Sequence, residues 1–210
     1  LNRLLRQLRE PLATSPYASQ VSQIDLSIGS DERLLAVIHY LGKETSELIA
    51  LLRPLAERLN FALGLQPGRK DSLRIVCGVG DLSISVDQPE IHLHYAAGGF
   101  AQINLQQNQK LVAAVIAAAT LQGHEQVLDL YCGMGNFSLP LARRAASVTG
   151  VENYAPSIKM ARRNAENNRI ENVDFQVMPA EDSLQKLEKT FDLLVLDPPR
   201  AGSYPVVKQL

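Results

Sequence analysis

Between Gln126 and Asp197 four short apolar runs, QVLDLYC (126–132), SVTGVE (147–152), VDFQV (173–177) and FDLLVLD (191–197), alternate with segments of helical length. Those segments are Phe137 to Ala146, Ala155 to Asn167 and Ala180 to Glu188, and a further helix is expected over Asn104 to Leu121. Strands separated repeatedly by helices pair in parallel, so this half of the chain is predicted to be α/β, with a doubly wound, Rossmann-like sheet.

Residues 1–99 follow another rhythm. Leu1, Leu4, Leu5 and Leu8 have helical spacing, and Pro11 is expected to stop that helix. QIDLSIG and RLLAVIHYL read as a hairpin turning at GSDE. Leu48, Leu51, Leu52, Leu55, Ala56 and Leu59 mark a helix within Glu44 to Leu63 that tolerates or kinks at Pro54. After a break over Gly64 to Lys70, LRIVCGVG, DLSISV and EIHLHY read as three more strands. The expected organisation is a smaller α+β domain, 1–99, followed by the α/β domain, 100–210.

Composition removes several classes. With 46% hydrophobic residues the chain has material for a core, and 21 basic against 22 acidic residues leave a net charge of −1 and no basic tail for nucleic acid. The longest apolar stretch, Leu111 to Leu121, falls well short of the ~20 residues of a membrane-spanning helix. Arg3, Arg6 and Arg9 punctuate a start that lacks the apolar centre of a signal peptide. Cys77 and Cys132 are too few for a disulfide scaffold or a four-thiolate metal site, and a reduced, cytoplasmic setting is expected. His92 and His94 alternate on one strand without a nearby third ligand, so no metal site is predicted.

The chemistry concentrates at the ends of the predicted parallel strands. In Asp129-Leu-Tyr-Cys-Gly133-Met-Gly135-Asn136-Phe137, two glycines let the backbone approach a ligand, and the following helix start offers oriented N–H groups. A lone Gly-x-Gly turn is often merely tight. The next strand, however, ends at Glu152, where a carboxylate can accept from two ribose hydroxyls. Ser138 stands where a dinucleotide binder has its third glycine, and no lysine serves a triphosphate. S-adenosylmethionine, an adenosine ligand without pyrophosphate, fits this pattern. The fourth run ends in Asp197-Pro198-Pro199-Arg200, whose prolines hold an acid and a base stiffly where open α/β sheets bind ligands.

The run Phe100-Ala-Gln102-Ile-Asn104, then Asn108, LDLYCGMGNFSLPLA, GVE, NAENN and DPPRAG together resemble the RNA uracil-C5 (5-methyluridine) methyltransferase family, on the bacterial ribosomal-RNA side more than the transfer-RNA side. The resemblance is strong over 100–202 and implies a class I methyltransferase core. It implies a cofactor, S-adenosylmethionine, bound by Gln102 at its methionine end, by Tyr131, Gly133, Gly135 and Asn136 around the glycine loop, and by Glu152 at the ribose. Asp197 is similar to the acid between cofactor and target base, with Arg200 beside it as a substrate-positioning group. Pro179 stands where the family usually has an Asp or Asn facing the adenine amino group, which shifts that task to Glu181, Asp182 or the backbone.

Carbon-5 of uracil is a weak nucleophile. For carbon-5 to take a methyl group a cysteine thiolate must first add to carbon-6; after the transfer a base removes the carbon-5 proton and the thiolate leaves. The family's nucleophile lies in an S-C-N-P element beyond DPPR and its base is a later Glu, and neither occurs before Leu210. Since a βαβ unit takes about 30 residues or more, four parallel strands fit after Gln126 and a full seven-stranded sheet does not. The family's N-terminal RNA-binding barrel and, in many members, its iron–sulfur cysteines are absent as well, so the chain is expected to be a fragment truncated at both ends that binds cofactor without turnover, its parent methylating RNA. The competing reading is a non-catalytic module that keeps the fold to bind RNA or a partner. Arg143, Arg144, Lys159, Arg162, Arg163 and Arg169 are placed either to meet phosphates or to lie solvated. An amino-methylating enzyme would carry an aromatic residue where Arg200 stands.

Overall fold

The computed structural model describes residues 1–69, 72–95, 97, 104–187 and 189–209. The chain divides into two units, Leu1–Ile84 with Tyr95–Ile103, and Ser85–His94 with Asn104–Leu210.

In the first unit, α1 (Asn2–Ala13) buries Leu4, Leu8 and Leu12, one residue per helical turn. The helix runs through Pro11 instead of stopping there, because the proline sits in its last turn and the next residue, Leu12, completes the buried stripe. β1 (Val21–Ile28) and β2 (Leu34–Tyr40) form the expected antiparallel hairpin. α2 (Thr45–Leu59) is shorter than its periodicity suggested, ending where Asn60 turns left-handed at φ 52°. The chain then enters β3 (Phe61–Pro67), which pairs parallel with β2 and antiparallel with β4 (Arg74–Cys77). The sequence pattern, a helix within Glu44 to Leu63 and then a break over Gly64 to Lys70, predicts no strand here. β3 is buried along nearly its whole length, so it shows no alternation and extends the apolar pattern of α2. Leu8, Leu48, Leu52, Ile38 and Leu63 belong to one apolar cluster joining α1, α2 and the sheet.

The second unit is built on a parallel sheet in the order β10-β7-β8-β9. β7 (Gln126–Leu130), β8 (Ser147–Glu152), β9 (Val173–Val177) and β10 (Leu193–Leu196) coincide closely with the four apolar runs. β8 and then β9 lie to one side of β7 and β10 to the other, so the strand order reverses between β7 and β10, the place where ligands bind in open α/β sheets. The helices are α3 (Leu105–Ala119), α4 (Ser138–Ala142), α5 (Ala155–Asn167), α6 (Ala180–Lys186) and α7 (Tyr204–Val207). α4 is a single short turn, less than the segment expected over Phe137 to Ala146, and α7 lies beyond the predicted elements. β5 (Leu82–Val86) and β6 (Ile91–Tyr95) form a two-stranded sheet whose tip belongs to this unit. At that tip Arg144 grips Asp87 through both carboxylate oxygens (2.7 and 2.8 Å), and Arg143 donates to the Pro89 carbonyl. Among the described residues no helix is long and apolar enough to cross a membrane.

Candidate functional site

The register of the parallel sheet brings three of the sequence-predicted residues to one level. Leu130 on β7 pairs with Val151 on β8 and with Leu196 on β10. The next residue on each strand is Tyr131, Glu152 and Asp197 respectively, so a phenol and two carboxylates stand in a row at the carboxyl ends, with Tyr131 central.

The loop after β7 needs its glycines for different reasons. Tyr131 takes φ 65°, Gly133 φ 56° and Gly135 φ 94°, all left-handed. A Cβ on Gly133 would meet nothing within 4 Å, so the backbone faces open space at that point. One on Gly135 would press Leu139 Cγ at 3.2 Å and the Phe175 ring at 3.4 Å, so this glycine packs inward. The loop is pinned by the Cys132 N–H to Val151 O (3.0 Å) and the Gly135 N–H to Cys132 O (2.9 Å). α4 is only five residues long, so its dipole contributes little at the loop, and its Leu139 N–H is already taken by Gly135 O (3.1 Å).

Glu152 is half-buried, and its Oε1 accepts the Tyr154 N–H at 2.8 Å, which fixes the carboxylate and leaves Oε2 without a donor among the described residues. Burial pushes the Tyr131 phenol up, and the charges of Glu181 and Glu152 add to this, so both acids lie close to it. Asp197 is exposed at the rim, where partial desolvation still pushes its carboxyl up. The Asn136 side chain pairs reciprocally with Asn108, Nδ2 to Oδ1 at 2.8 and 3.0 Å. Gln102 and Phe100 lie outside the described residues; Asn104 caps α3 by accepting the Gln107 N–H at 3.1 Å. Pro179 is the residue before α6, and its carbonyl accepts the Asp182 N–H. Of the two acids that follow, Asp182 is paired with Lys186 (2.7 Å), whereas Glu181 is exposed near Tyr131. Arg200 is exposed.

One acid escaped the sequence reading as a site group. Asp129 is wholly buried in β7; its Oδ2 accepts from Ser138 Oγ at 2.5 Å and its Oδ1 has no partner. Burial raises its carboxyl to about 7 against the Ser138 hydrogen bonds, and the nearby Asp197 charge pushes the same way. The signal was available, since an aspartate inside the apolar run QVLDL has to be buried for a reason. Cys132 is buried below the loop, and burial, reinforced by Asp129 and Glu152, pushes its thiol far up, which makes it a poor thiolate.

The supposed basic face is partly committed inside the protein. Arg143 and Arg144 hold the β5–β6 tip, and Arg162 donates to Phe175 O. Among the described residues no three His, Cys, Asp or Glu side chains gather as a metal site.

The available groups suit an adenosine ligand: an anchored carboxylate with one open oxygen, a glycine facing open space, and a buried acid with an orphaned oxygen beneath them. The family model described as tRNA (Uracil-5-)-methyltransferase matches residues 2–210. A Legionella pneumophila protein named 23S rRNA (uracil(1939)-C(5))-methyltransferase RlmD is 31% identical over 211 residues, 97% of this chain and 47% of that protein. The protein of the same name from Xanthomonas campestris is 35% identical over 194 residues, 90% of this chain and 44% of its own length. The chain thus spans about half the length of the curated relatives it matches. The crystal structure of a Pyrococcus abyssi tRNA (uracil-54, C5)-methyltransferase in complex with S-adenosyl-L-homocysteine superimposes with a TM-score of 0.69 at 23% identity, covering 98% of this chain and 52% of that one. At that identity the likeness establishes a shared Rossmann-like methyltransferase fold.

Proposed function

The chain belongs to the tRNA (uracil-5-)-methyltransferase family, and from that membership we propose that it binds S-adenosylmethionine for the methylation of carbon-5 of uracil in RNA. Ribosomal RNA is favoured over transfer RNA because the relatives cited above are named as 23S rRNA enzymes. The observation that carries the reading is the row formed by Glu152, Tyr131 and Asp197 beside a glycine that faces open space.

When bound, the cofactor supplies an electrophilic methyl group on a sulfonium. Glu152, oriented by the Tyr154 N–H, accepts from the ribose hydroxyls chiefly through Oε2. Gly133 leaves room for the backbone to approach the ligand, Gly135 closes the turn, and Tyr131 borders the adenosine between Glu152 and Glu181. Asn136, whose amide is half engaged with Asn108, offers its remaining N–H. Glu181, which faces Tyr131 without a lysine partner of the kind Asp182 has, is the better candidate for the adenine amino group. Asp197 stands between cofactor and base, and Arg200 orients the RNA. Cys132 does not attack carbon-6, because its thiol is held protonated by burial and by two acids. In this reading residues 1–99 are an α+β central domain and 100–210 the cofactor domain, in a reduced cytoplasmic setting where both cysteines remain thiols.

Calorimetry with S-adenosylhomocysteine tests the site: Glu152→Ala is expected to weaken binding about tenfold or more, equivalent to about 1.4 kcal/mol, and equal affinities remove the ribose role. For the substrate, ribosomal RNA from cells lacking the gene should lose a 5-methyluridine, and an unchanged content overturns that assignment.

A further inference from the structure

The NAENN run is used by the structure in a way that nothing above absorbs. Asn164 and Asn168 are one helical turn apart on α5, and both reach the backbone of β6. The His94 N–H donates to Asn164 Oδ1 at 2.8 Å, and Asn164 Nδ2 donates back to His94 O at 3.0 Å. Asn168 repeats the pattern on His92, with N–H to Oδ1 at 3.0 Å and Nδ2 to O at 2.8 Å. The geometry matches because four helical residues rise about 6 Å and two strand residues about 6.6 Å. Each side-chain amide therefore stands in for the peptide group of a neighbouring strand. Asparagine is required, since aspartate has no donor for the return bond.

The two asparagines differ in one respect. Asn164 is fully buried and its Nδ2 also donates to Met134 O, inside the glycine loop, at 3.2 Å. Asn168 sends its extra bond to Asn164 O on its own helix (2.7 Å). Of the two, it is Asn164 that ties β6 to the loop. A second tie comes from the opposite side, where buried Asn108, in the first turns of α3, holds Asn136 of the same loop through the reciprocal amide pair. His94 and Asn104 are the residues at which the chain leaves this unit and returns to it.

We infer that Asn164 and Asn108 are positioning residues that lock the glycine loop to the departure and return points of the 95–103 segment, so that loop and anchor points move as one body. The inference deepens the cofactor reading and rests on it for its effect on affinity. A glycine loop that has to let a ligand approach its backbone depends on the position that these two ties set. They act through the loop and need not touch the ligand.

The test pairs calorimetry against S-adenosylhomocysteine with hydrogen exchange of the unliganded protein. Asn164→Ala and Asn108→Ala are each expected to weaken binding about tenfold, the worth of one well-placed hydrogen bond, and to speed exchange at the Gly135 amide. Combined, they should cost less than the product of the two, because both free the same loop. Asn168→Ala is the control: it removes an equivalent latch on β6 with no bond to the loop, and should leave affinity within about twofold. If Asn164→Ala fails to fold, Asn164→Thr, close in volume and uncharged, removes the amide that bridges His94 and Met134 without burying a charge, and the same weakening is expected. Equal affinity losses for Asn164→Ala and Asn168→Ala, or unchanged exchange at Gly135 in both Asn164→Ala and Asn108→Ala, overturn the inference. A wild-type protein that binds no S-adenosylhomocysteine defeats the cofactor reading instead, and the exchange data then still decide whether the two asparagines hold the loop.

Discussion

The interior of the first unit is mainly a cluster of Leu, Ile, Phe, Ala and Tyr side chains, with Gln66 its one buried polar residue among those described and Tyr40 hiding a hydroxyl without a partner there. The second unit buries Asn108, Asp129, Ser138, Thr149, Asn164 and Ser183 among its strands and helices. Apolar packing tolerates exchange of one side chain for another of similar volume, whereas a buried amide or carboxylate fixes direction and partner. The first interior is thus suited to holding a scaffold together. In the second, Asn164 and Asn108 aim the loop and Asp129 anchors the start of α4, at the cost of desolvating polar groups that an apolar residue would spare.

The largest expected effect falls on the apolar side. Leu52 is 1% exposed at the centre of its cluster, and Leu52→Ala should destabilise by about 2–5 kcal/mol through lost transfer energy and a cavity. Denaturant unfolding read by exchange at β2 and β3 amides measures it. A loss under about 1 kcal/mol would mean that this interior collapses around the gap, and that its rigidity does not come from packing.

On the polar side, the pH dependence of Asp129 gives the sharpest contrast. Its carboxyl is raised from 3.8 to about 7 in the folded protein, first by burial. A raised acid contributes stability that is complete below the unfolded value and is lost as pH climbs through the folded one. Wild type should therefore lose stability relative to Asp129→Asn between about pH 4 and pH 7, on the order of 4 kcal/mol in all, and stay level above. Asparagine still accepts from Ser138, so the comparison isolates the charge. A flat difference across pH 4 to 8 would show that water reaches Asp129.

Arg144→Ala probes a polar lock nearer the surface. Burial pushes Asp87 up, but the Arg144 hydrogen bonds, the Gln88 N–H and the charges of Arg144 and Arg143 outweigh it and hold it below the usual range. Its side chain is 4% exposed and that of Arg144 32%, so the loss should fall below that of a fully buried pair, at about 2 kcal/mol. A lowered acid contributes stability above its unfolded value and loses it on acidification. The variant should accordingly approach wild type as pH falls below about 4, and thermal melts at pH 7 and pH 3 provide the check.

The same contrast explains what was legible in the sequence. The parallel sheet was, because β7 to β10 are short apolar runs separated by helices, and the strand-end residues Tyr131, Glu152 and Asp197 follow from register once the order is known. β3 was not, since a strand buried on both faces continues the apolar pattern of the helix before it. The latches of Asn164 and Asn168 were equally hidden. Their partners lie 70 and 76 residues away, and the bonds go to backbone atoms, which leave no mark on sequence.

The smallest expected effect, Gly150→Ala, asks whether the second interior also depends on shape. Gly150 lies in β8 with an ordinary backbone, so an added methyl is opposed only by its neighbours. Its Cβ would stand 2.6 Å from Phe175 Cδ1, 2.7 Å from Cε1 and 3.0 Å from Cys132 Sγ. Phe175 is 2% exposed, and the far end of its ring already lies 3.4 Å from where a Cβ on Gly135 would be. Two glycines therefore make room for one ring, and a methyl on Gly150 forces that ring or the Cys132 sulfur to move. Overpacking of this kind should cost about 1–2 kcal/mol. Phe175→Leu, which shortens the obstructing side chain, should restore part of the loss in the double variant, beyond what the two single changes add up to. A strictly additive double variant would mean that Gly150 meets its resistance from the Cys132 side, and would place the steric constraint in the loop itself.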